Sequence, residues 1–376
     1  MSQLSKGALS YKFARSFLNI GMPGYLIFFV TSRCNANCRI CFNKENVRNS
    51  SLRKELSLEE IEKISRGIKN LFQLQISGGE PFLRADLAEI VTFFYKNSGV
   101  AHVTIPTNGL MPEQSEKALR KIFESCPGLY VSVNVSIDGI GKRHDEIRGV
   151  IGNFDIAAET YRRLSPLRKY HKNFALNIDT RISKHNYHEL EEIADFIEEK
   201  FAPDIHIVSP ARPVLDGASR EIAKEEAVGV YKRLREGNVS RVKKRVYFSK
   251  AAYALISLIY DIQRRVIEDG KMAIPCPAAS KMIVISDIGE VFPCEPIWLG
   301  DGGCRLGREE GGIMGDLRRE GYNMRRIVNS QRSRKMRSDI KKSKCFCDFG
   351  CAVYAGILYS PRAYFGILKK FFEVLR

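Results

Sequence analysis

From Tyr25 onward the chain repeats one unit six times: a short β-rich run, a polar or glycine-containing exit, then a helical stretch. The runs are YLIFFVT (25–31), LQIS (74–77), VTIPT (103–107), YVSVNVS (130–136), ALNIDTRI (175–182) and IHIVS (205–209). Between them, apolar residues recur at helical spacing over Leu58–Leu71, Asp86–Lys96, Glu113–Glu124, Asp155–Leu164 and His188–Lys200. Ser57 and Glu60 have the spacing of a capping box at the start of the first helix. Nearly continuous apolar strands alternating with helices require a parallel sheet covered by helices. Six units predict an α/β fold, either an open sheet or an incomplete barrel. In both cases reactive groups belong just after the carboxyl ends of the strands.

The 376 residues suit one large domain plus a smaller one. The sequence divides into an amphipathic lead-in (1–24), the strand–helix core (25–215), a charged helical connector (216–270), a cysteine-rich segment (271–352) and a basic, aromatic tail (353–376). In the lead-in, Leu9, Phe13, Phe17 and Leu18 fall near one helical face. The longest apolar run, Tyr25–Val30, is far shorter than the ~20 residues a bilayer span needs. The first 24 residues lack the pattern of a secretory signal, which predicts a cytoplasmic protein. A net charge of +17 favours an anionic partner, or serves solubility alone.

Nine of the ten cysteines fall in two clusters, 34–41 and 276–351. Tight clustering without a signal peptide favours metal ligation over disulfides. Cys34, Cys38 and Cys41 follow the first strand directly, with no fourth cysteine or histidine nearby. Three thiolates on one loop can hold three corners of a four-iron cluster and leave the fourth iron open. Cys126, at the end of an amphipathic helix, reads as a buried core residue, and Cys304 as a free thiol in a loop.

C-x3-C-x2-C after the first strand of a (β/α)6 chain resembles the radical S-adenosylmethionine (SAM) superfamily. Further motifs are in register: SGGEP (77–81) after strand two, PTNG (106–109) after strand three, SIDG (136–139) after strand four, then RHDEIRG (143–149). The resemblance implies a partial (β/α)6 TIM-like barrel. It implies a 4Fe-4S cluster on Cys34, Cys38 and Cys41 whose open iron chelates the amino and carboxylate groups of SAM. Gly78, Gly79 and Glu80 would face the SAM amino group; Ser136, Asn108 and Arg148 would lie near its ribose or carboxylate. NIDTRIS (177–183) stands where the family often contacts ribose or adenine. The family usually has an aromatic residue before the third cysteine; here it is Ile40, and Phe42 follows the cysteine.

In the second cluster, Cys276 precedes Gly289 by C-x12-G, and GEVFPC ends at Cys294. With Cys345, Cys347 and Cys351, this resembles the SPASM/Twitch extension, a small cysteine-rich α+β domain. The resemblance implies one auxiliary 4Fe-4S cluster. Cys276 and Cys294 would be ligands, joined by two of Cys345, Cys347 and Cys351. Cys347 and Cys351 at i, i+4 would share a helical turn, whereas Cys345 and Cys347 would reach from a loop. A zinc ion on four of these thiols satisfies the same spacing.

The implied chemistry is reductive cleavage of SAM to methionine and a 5′-deoxyadenosyl radical, which takes hydrogen from an unactivated C–H bond. The auxiliary cluster would accept an electron, relay charge or bind substrate. The basic surface suits an acidic flavodoxin or ferredoxin as electron donor. Three substrate classes compete: a peptide, as in maturases, although only 33 residues precede Cys34 and leave no room for a peptide-binding domain; a sugar, nucleotide or alcohol; and a lipid. The lipid reading comes from the tail, where Tyr364, Phe365, Leu368, Phe371, Phe372 and Leu375 interleave with Lys369, Lys370 and Arg376, as in helices that lie peripherally on a membrane. Nucleic-acid binding through the cationic run 325–344 is disfavoured, because such a run is more often a solvated helix face. Arg212 follows strand six on the reactive side and is a candidate substrate contact; His144, His185 and His188 read as structural or surface residues.

Overall fold

The structure, a computed structural model, describes residues 6–211, 229, 249–298, 312–343 and 345–375. Arg212, Cys304 and most of the 216–270 connector lie outside the described residues.

Six parallel strands form the core, β1 Tyr25–Phe29, β2 Gln73–Ser77, β3 His102–Thr107, β4 Tyr130–Ser136, β5 Phe174–Ile182 and β6 His206–Pro210, each beside the next. The first helix, Leu58–Gly67, carries the expected box: Ser57 Oγ accepts from the Glu60 amide, and the Glu60 carboxylate accepts from the Ser57 amide. It stops at Gly67 rather than Leu71, because Ile68 is extended and Asn70 has a left-handed φ of 58°. The remaining predicted helices form as Leu87–Phe93, Pro112–Ser125, Asn153–Leu164 and Leu190–Lys200.

The MIVISDIGEVF segment forms the expected hairpin, β7 Met282–Ile285 and β8 Glu290–Phe292, and β7 also pairs parallel with β1, from Tyr25↔Met282 to Phe28↔Ile285. Gly315–Asp316 adds β9, giving the order β6-β5-β4-β3-β2-β1-β7-β8-β9. The sheet is therefore an open, partial barrel whose β1 edge is covered by the cysteine-rich segment. One apolar core runs from β1–β5 through β7 and β8 to Phe349 and Ala352. At the junction lies Trp298, the only tryptophan, its ring 4.4 Å from Phe29 and 5.4 Å from Phe292.

The helix Lys6–Leu18 packs Phe13 against Phe72 and Tyr359, and Phe17 against Tyr359 and Tyr364. Leu18 departs from the expected inner face and points to solvent, as it lies more than a quarter turn from Phe13. The tail is two helices rather than one, Gly350–Tyr359 and Pro361–Leu375. Pro361 disfavours a helical Ser360, which is extended at φ −113° and ψ 110°. Cys126 is buried in the core, as expected.

Candidate functional site

Beyond β1 the chain runs through buried Thr31 and Ser32 into the loop bearing Cys34, Cys38 and Cys41. Glu55 fixes the loop's root, accepting from Thr31 Oγ1 at 2.5 Å and from the Ser32 amide at 3.2 Å. SGGEP presses on it from one side: the Gly79 amide donates to the Thr31 carbonyl and the Glu80 amide to the Arg33 carbonyl, both at 2.8 Å. A Cβ on Gly78 would stand 2.3 Å from the Thr31 oxygen, and one on Gly79 2.1 Å from the Arg33 oxygen. These glycines are thus required by the thiol loop itself. From the other side, the Asn37 and Arg39 amides donate to the Arg148 and Ile147 carbonyls. Gly149, at φ 68°, would put a Cβ 2.3 Å from the Asn37 oxygen.

Polar groups converge on the sulfurs. The Ala36 amide lies 3.5 Å from Cys34 Sγ, Asn108 Nδ2 3.8 Å from the same atom, and Arg148 Nη1 4.0 Å from Cys38 Sγ. Burial pushes the Cys34 thiol up to about 12, with Glu80, Cys38 and Cys41 adding to the rise against the Ala36 amide. Burial and Cys38 push Cys41 up to about 11. Three half-buried thiols on one short loop, with ionisation of Cys34 and Cys41 disfavoured, fit a strongly cationic occupant, which would hold them as thiolates.

Glu80 is buried, accepting from the Phe82 amide at 3.1 Å and the Asn108 amide at 2.7 Å. Burial raises its carboxyl to about 7, against the pull of those amides. Arg148 pairs with Asp138 at 2.6 Å. Asp138 also accepts from the Arg181 amide at 2.7 Å, and its own amide donates to His144 Nδ1 at 3.0 Å. His144 is therefore a buried bracket; burial, then Arg148, lowers it to about 3. Asp179 stands opposite Ser136 in the register and pairs with Arg181 at 2.6 Å. Burial raises the Asp179 carboxyl. Its Oδ1 is buried without a partner, as is Asn177 Oδ1, whose Nδ2 donates to Asn134 at 3.0 Å. These orphaned acceptors line the concave face, because Val135 between Asn134 and Ser136 packs toward Gly109 on the helical side. Asp138, Asp179 and Arg181 form a polar hub whose members the sequence does not single out, although Asp138 lies in SIDG and Asp179 and Arg181 lie in NIDTRIS. Their signal was the place of those motifs at the ends of strands four and five.

In the second set, the Ala279 amide donates to the Pro293 carbonyl at 3.3 Å, drawing the chain near Cys276 beside that at Cys294. Burial raises the Cys347 thiol well above its ordinary value, with Cys276 and then Cys351 adding to the rise. Cys351 Sγ donates to Glu295 at 3.1 Å. Cys347 lies in a loop and Cys351 in the first turn of a helix starting at Gly350, so they do not share a helical turn. Among the described residues, no set of three or more Cys, His, Asp or Glu closes around a point as a single-ion site does. A four-iron cluster takes one thiolate per iron and so spreads its ligands wider. Of the other histidines singled out in the sequence, His188 is exposed and His185 half-buried.

Residues 28–197 match the model of the radical SAM superfamily. The chain is 27% identical over 205 residues to a GTP 3′,8-cyclase of Cronobacter sakazakii, covering 51% of this chain and 55% of that one. It is 29% identical over 197 residues to an Fe-coproporphyrin III synthase of Methanosarcina barkeri, covering 50% and 45%. The chain thus spans about half the length of these curated relatives. Among solved structures, anSMEcpe with bound AdoMet and a peptide matches at a TM-score of 0.56 and 17% identity, over 93% of this chain and 96% of that one. Streptococcus suis SuiB bound to S-adenosylmethionine matches at 0.55 and 18%, over 89% and 72%. At these identities the likeness is one of fold.

Proposed function

Residues 28–197 are a radical SAM domain, and on that premise we propose that the chain is an enzyme that cleaves SAM reductively and acts on a polar substrate held in the barrel. When bound, the cluster and SAM supply a one-electron cleavage to methionine and a 5′-deoxyadenosyl radical, which takes a hydrogen atom from the substrate. Cys34, Cys38 and Cys41 would hold the cluster, leaving one iron for SAM. The reading is supported by Glu80 and Arg148, whose backbones bond to the thiol loop and whose charges act on its thiols, Glu80 on Cys34 and Arg148 on Cys41. An anionic and a cationic group so placed match the ammonium and carboxylate of an amino-acid moiety.

Asn108, beside Cys34, and Ser136, opposite Asp179 in the register, would line the same mouth. The orphaned oxygens of Asn177 and Asp179 suit the donor hydroxyls of a ribose. Arg181 steadies Asp179, and the Asp138–Arg148 pair keeps the guanidinium oriented and charged. Cys276, Cys294, Cys347 and Cys351 would hold an auxiliary 4Fe-4S cluster. Of the last three cysteines, the pair 347 and 351 is favoured because Cys351 and Cys276 are Cys347's electrostatic neighbours. The polar concave face favours a sugar, nucleotide or peptide over a hydrocarbon. An acidic carrier such as flavodoxin or ferredoxin suits the basic surface as electron donor.

Anaerobic reconstitution tests the reading. Two clusters give about 8 iron per chain, and a Cys34→Ala/Cys38→Ala/Cys41→Ala variant about 4. Reduced protein with SAM should release 5′-deoxyadenosine; reduced, fully loaded protein that never does so overturns the proposal. Cys345→Ser should retain both clusters, whereas Cys347→Ser should lose one.

A further inference from the structure

Of two neighbouring helices near the chain termini, the first covers the amino-terminal ends of the parallel strands, opposite the reactive mouth, and the second packs beside it. In the first, Lys6–Leu18, Lys12 Nζ donates to the Val100 carbonyl ahead of β3, and Phe13 packs on Phe72 ahead of β2. The other, Pro361–Leu375, is joined to it through Phe17, whose ring centroid lies 6.3 Å from that of Tyr364. Ser16 Oγ bonds to Tyr359 Oη at 2.8 Å, just below Gly24 at the start of β1.

Each helix is apolar on its outer side as well. On Pro361–Leu375, Ala363 is buried, Gly366 faces Leu258, and Lys370 pairs with Asp261 at 2.8 Å. Phe365, Leu368 and Phe372, at i, i+3 and i+7, form one outward stripe, exposed by 79%, 54% and 60%. On Lys6–Leu18, Tyr11 and Leu18 are one heptad apart and exposed by 62% and 73%, and Ile20 just beyond by 87%. Large apolar side chains aligned on an outer face mark an interaction surface, whereas scattered ones do not. Cations border them: Arg15 lies over the Tyr11 ring, and Arg362 and Lys369 lie one turn either side of Phe365. Lys6–Leu18 carries no acidic residue, and the single one on Pro361–Leu375, Glu373, bonds to Lys370.

We propose that this basal face, formed by Lys6–Leu18 and Pro361–Leu375, docks on an anionic lipid surface. Phe365, Leu368, Phe372, Leu18 and Ile20 enter the acyl boundary, while Arg15, Arg362 and Lys369 meet the headgroups. No helix among the described residues is long and apolar enough to cross a membrane, so the contact is peripheral. A second copy of the chain is the poorer occupant, since self-pairing would set two cationic faces together. The orientation has a further meaning: the contact lies at the barrel floor, so it anchors the protein with its reactive mouth turned away from the lipid. The proposal stands on this face alone and is independent of the substrate.

Flotation of the full, iron-loaded chain with vesicles of phosphatidylcholine, alone or with about one third phosphatidylglycerol, tests it. The chain should float only with the anionic vesicles. A Phe365→Ser/Leu368→Ser/Phe372→Ser variant should lose partitioning by about tenfold or more. Its iron content and melting temperature should stay unchanged, because the substituted side chains are exposed. Arg362→Glu/Lys369→Glu should weaken binding in a salt-dependent way. Failure of the parent chain to float, equal flotation of the triple variant, or a lipid-free dimer that the triple variant dissolves would each overturn the proposal.

Discussion

Glu80 is a carboxylate kept out of water and held near the boundary between its charged and neutral forms, at about 7. A raised folded-state value means that its stabilising contribution is full below the ordinary carboxylate range and lost as pH rises through about 7. A bound ammonium reverses that balance by favouring the anion. SAM should therefore stabilise the loaded protein more at pH 8 than at pH 6, read as the shift in melting temperature at saturating ligand. Glu80→Gln should flatten this dependence and weaken SAM binding about tenfold or more. The glycines make a separate residue-scale prediction. Gly79→Ala sets a methyl 2.1 Å from the Arg33 oxygen, so the thiol loop must move. Its cost should be about 1–3 kcal/mol by urea denaturation, with iron content reduced before the fold is lost. The sequence shows Gly78 and Gly79 as a motif, but not that their neighbour is the thiol loop; that closeness appears only once β1 and β2 lie in register.

At the scale of elements, the six core strands were legible because apolar runs and polar exits survive any tertiary context, and the structure places each within about a residue of its expected start. The Ser57–Glu60 cap was equally legible, being local. Ser57→Ala should cost about 1 kcal/mol, measurable as a lower urea midpoint with unchanged slope. What could not be read was anything set by strand adjacency. Asp138, Asp179 and Arg181 lie up to 43 residues apart and meet because β4 and β5 are neighbours. The break at Ser360 was within reach, since Ser-Pro is a visible signal, but the apolar periodicity on both sides concealed it.

At the scale of the whole molecule, the cysteine-rich segment is wired into the barrel. β7 completes the hydrogen bonds of β1, whose Leu26, Ile27 and Phe28 are fully buried. A chain ended after residue 215 would expose that apolar edge, a template for pairing with other chains. It should aggregate even though it contains every residue of the first thiol set, as size-exclusion chromatography will show. The composition marks residue 271 as a change of character, yet composition cannot reveal a strand pairing across more than 250 residues. The shared core makes the two thiol sets parts of one folding unit.

Trp298 gives that junction an optical signature. Its indole rests on Phe29, at the end of the strand leading to the first thiol loop, and its amide donates to the carbonyl of Cys294 in the second set. As the chain's only fluorophore of its kind, it stands between both candidate metal centres. Loading either centre should quench its emission by energy transfer to the iron–sulfur chromophore. Stepwise quenching during reconstitution should then give the order of filling, and Cys34→Ala and Cys347→Ser should each remove one step.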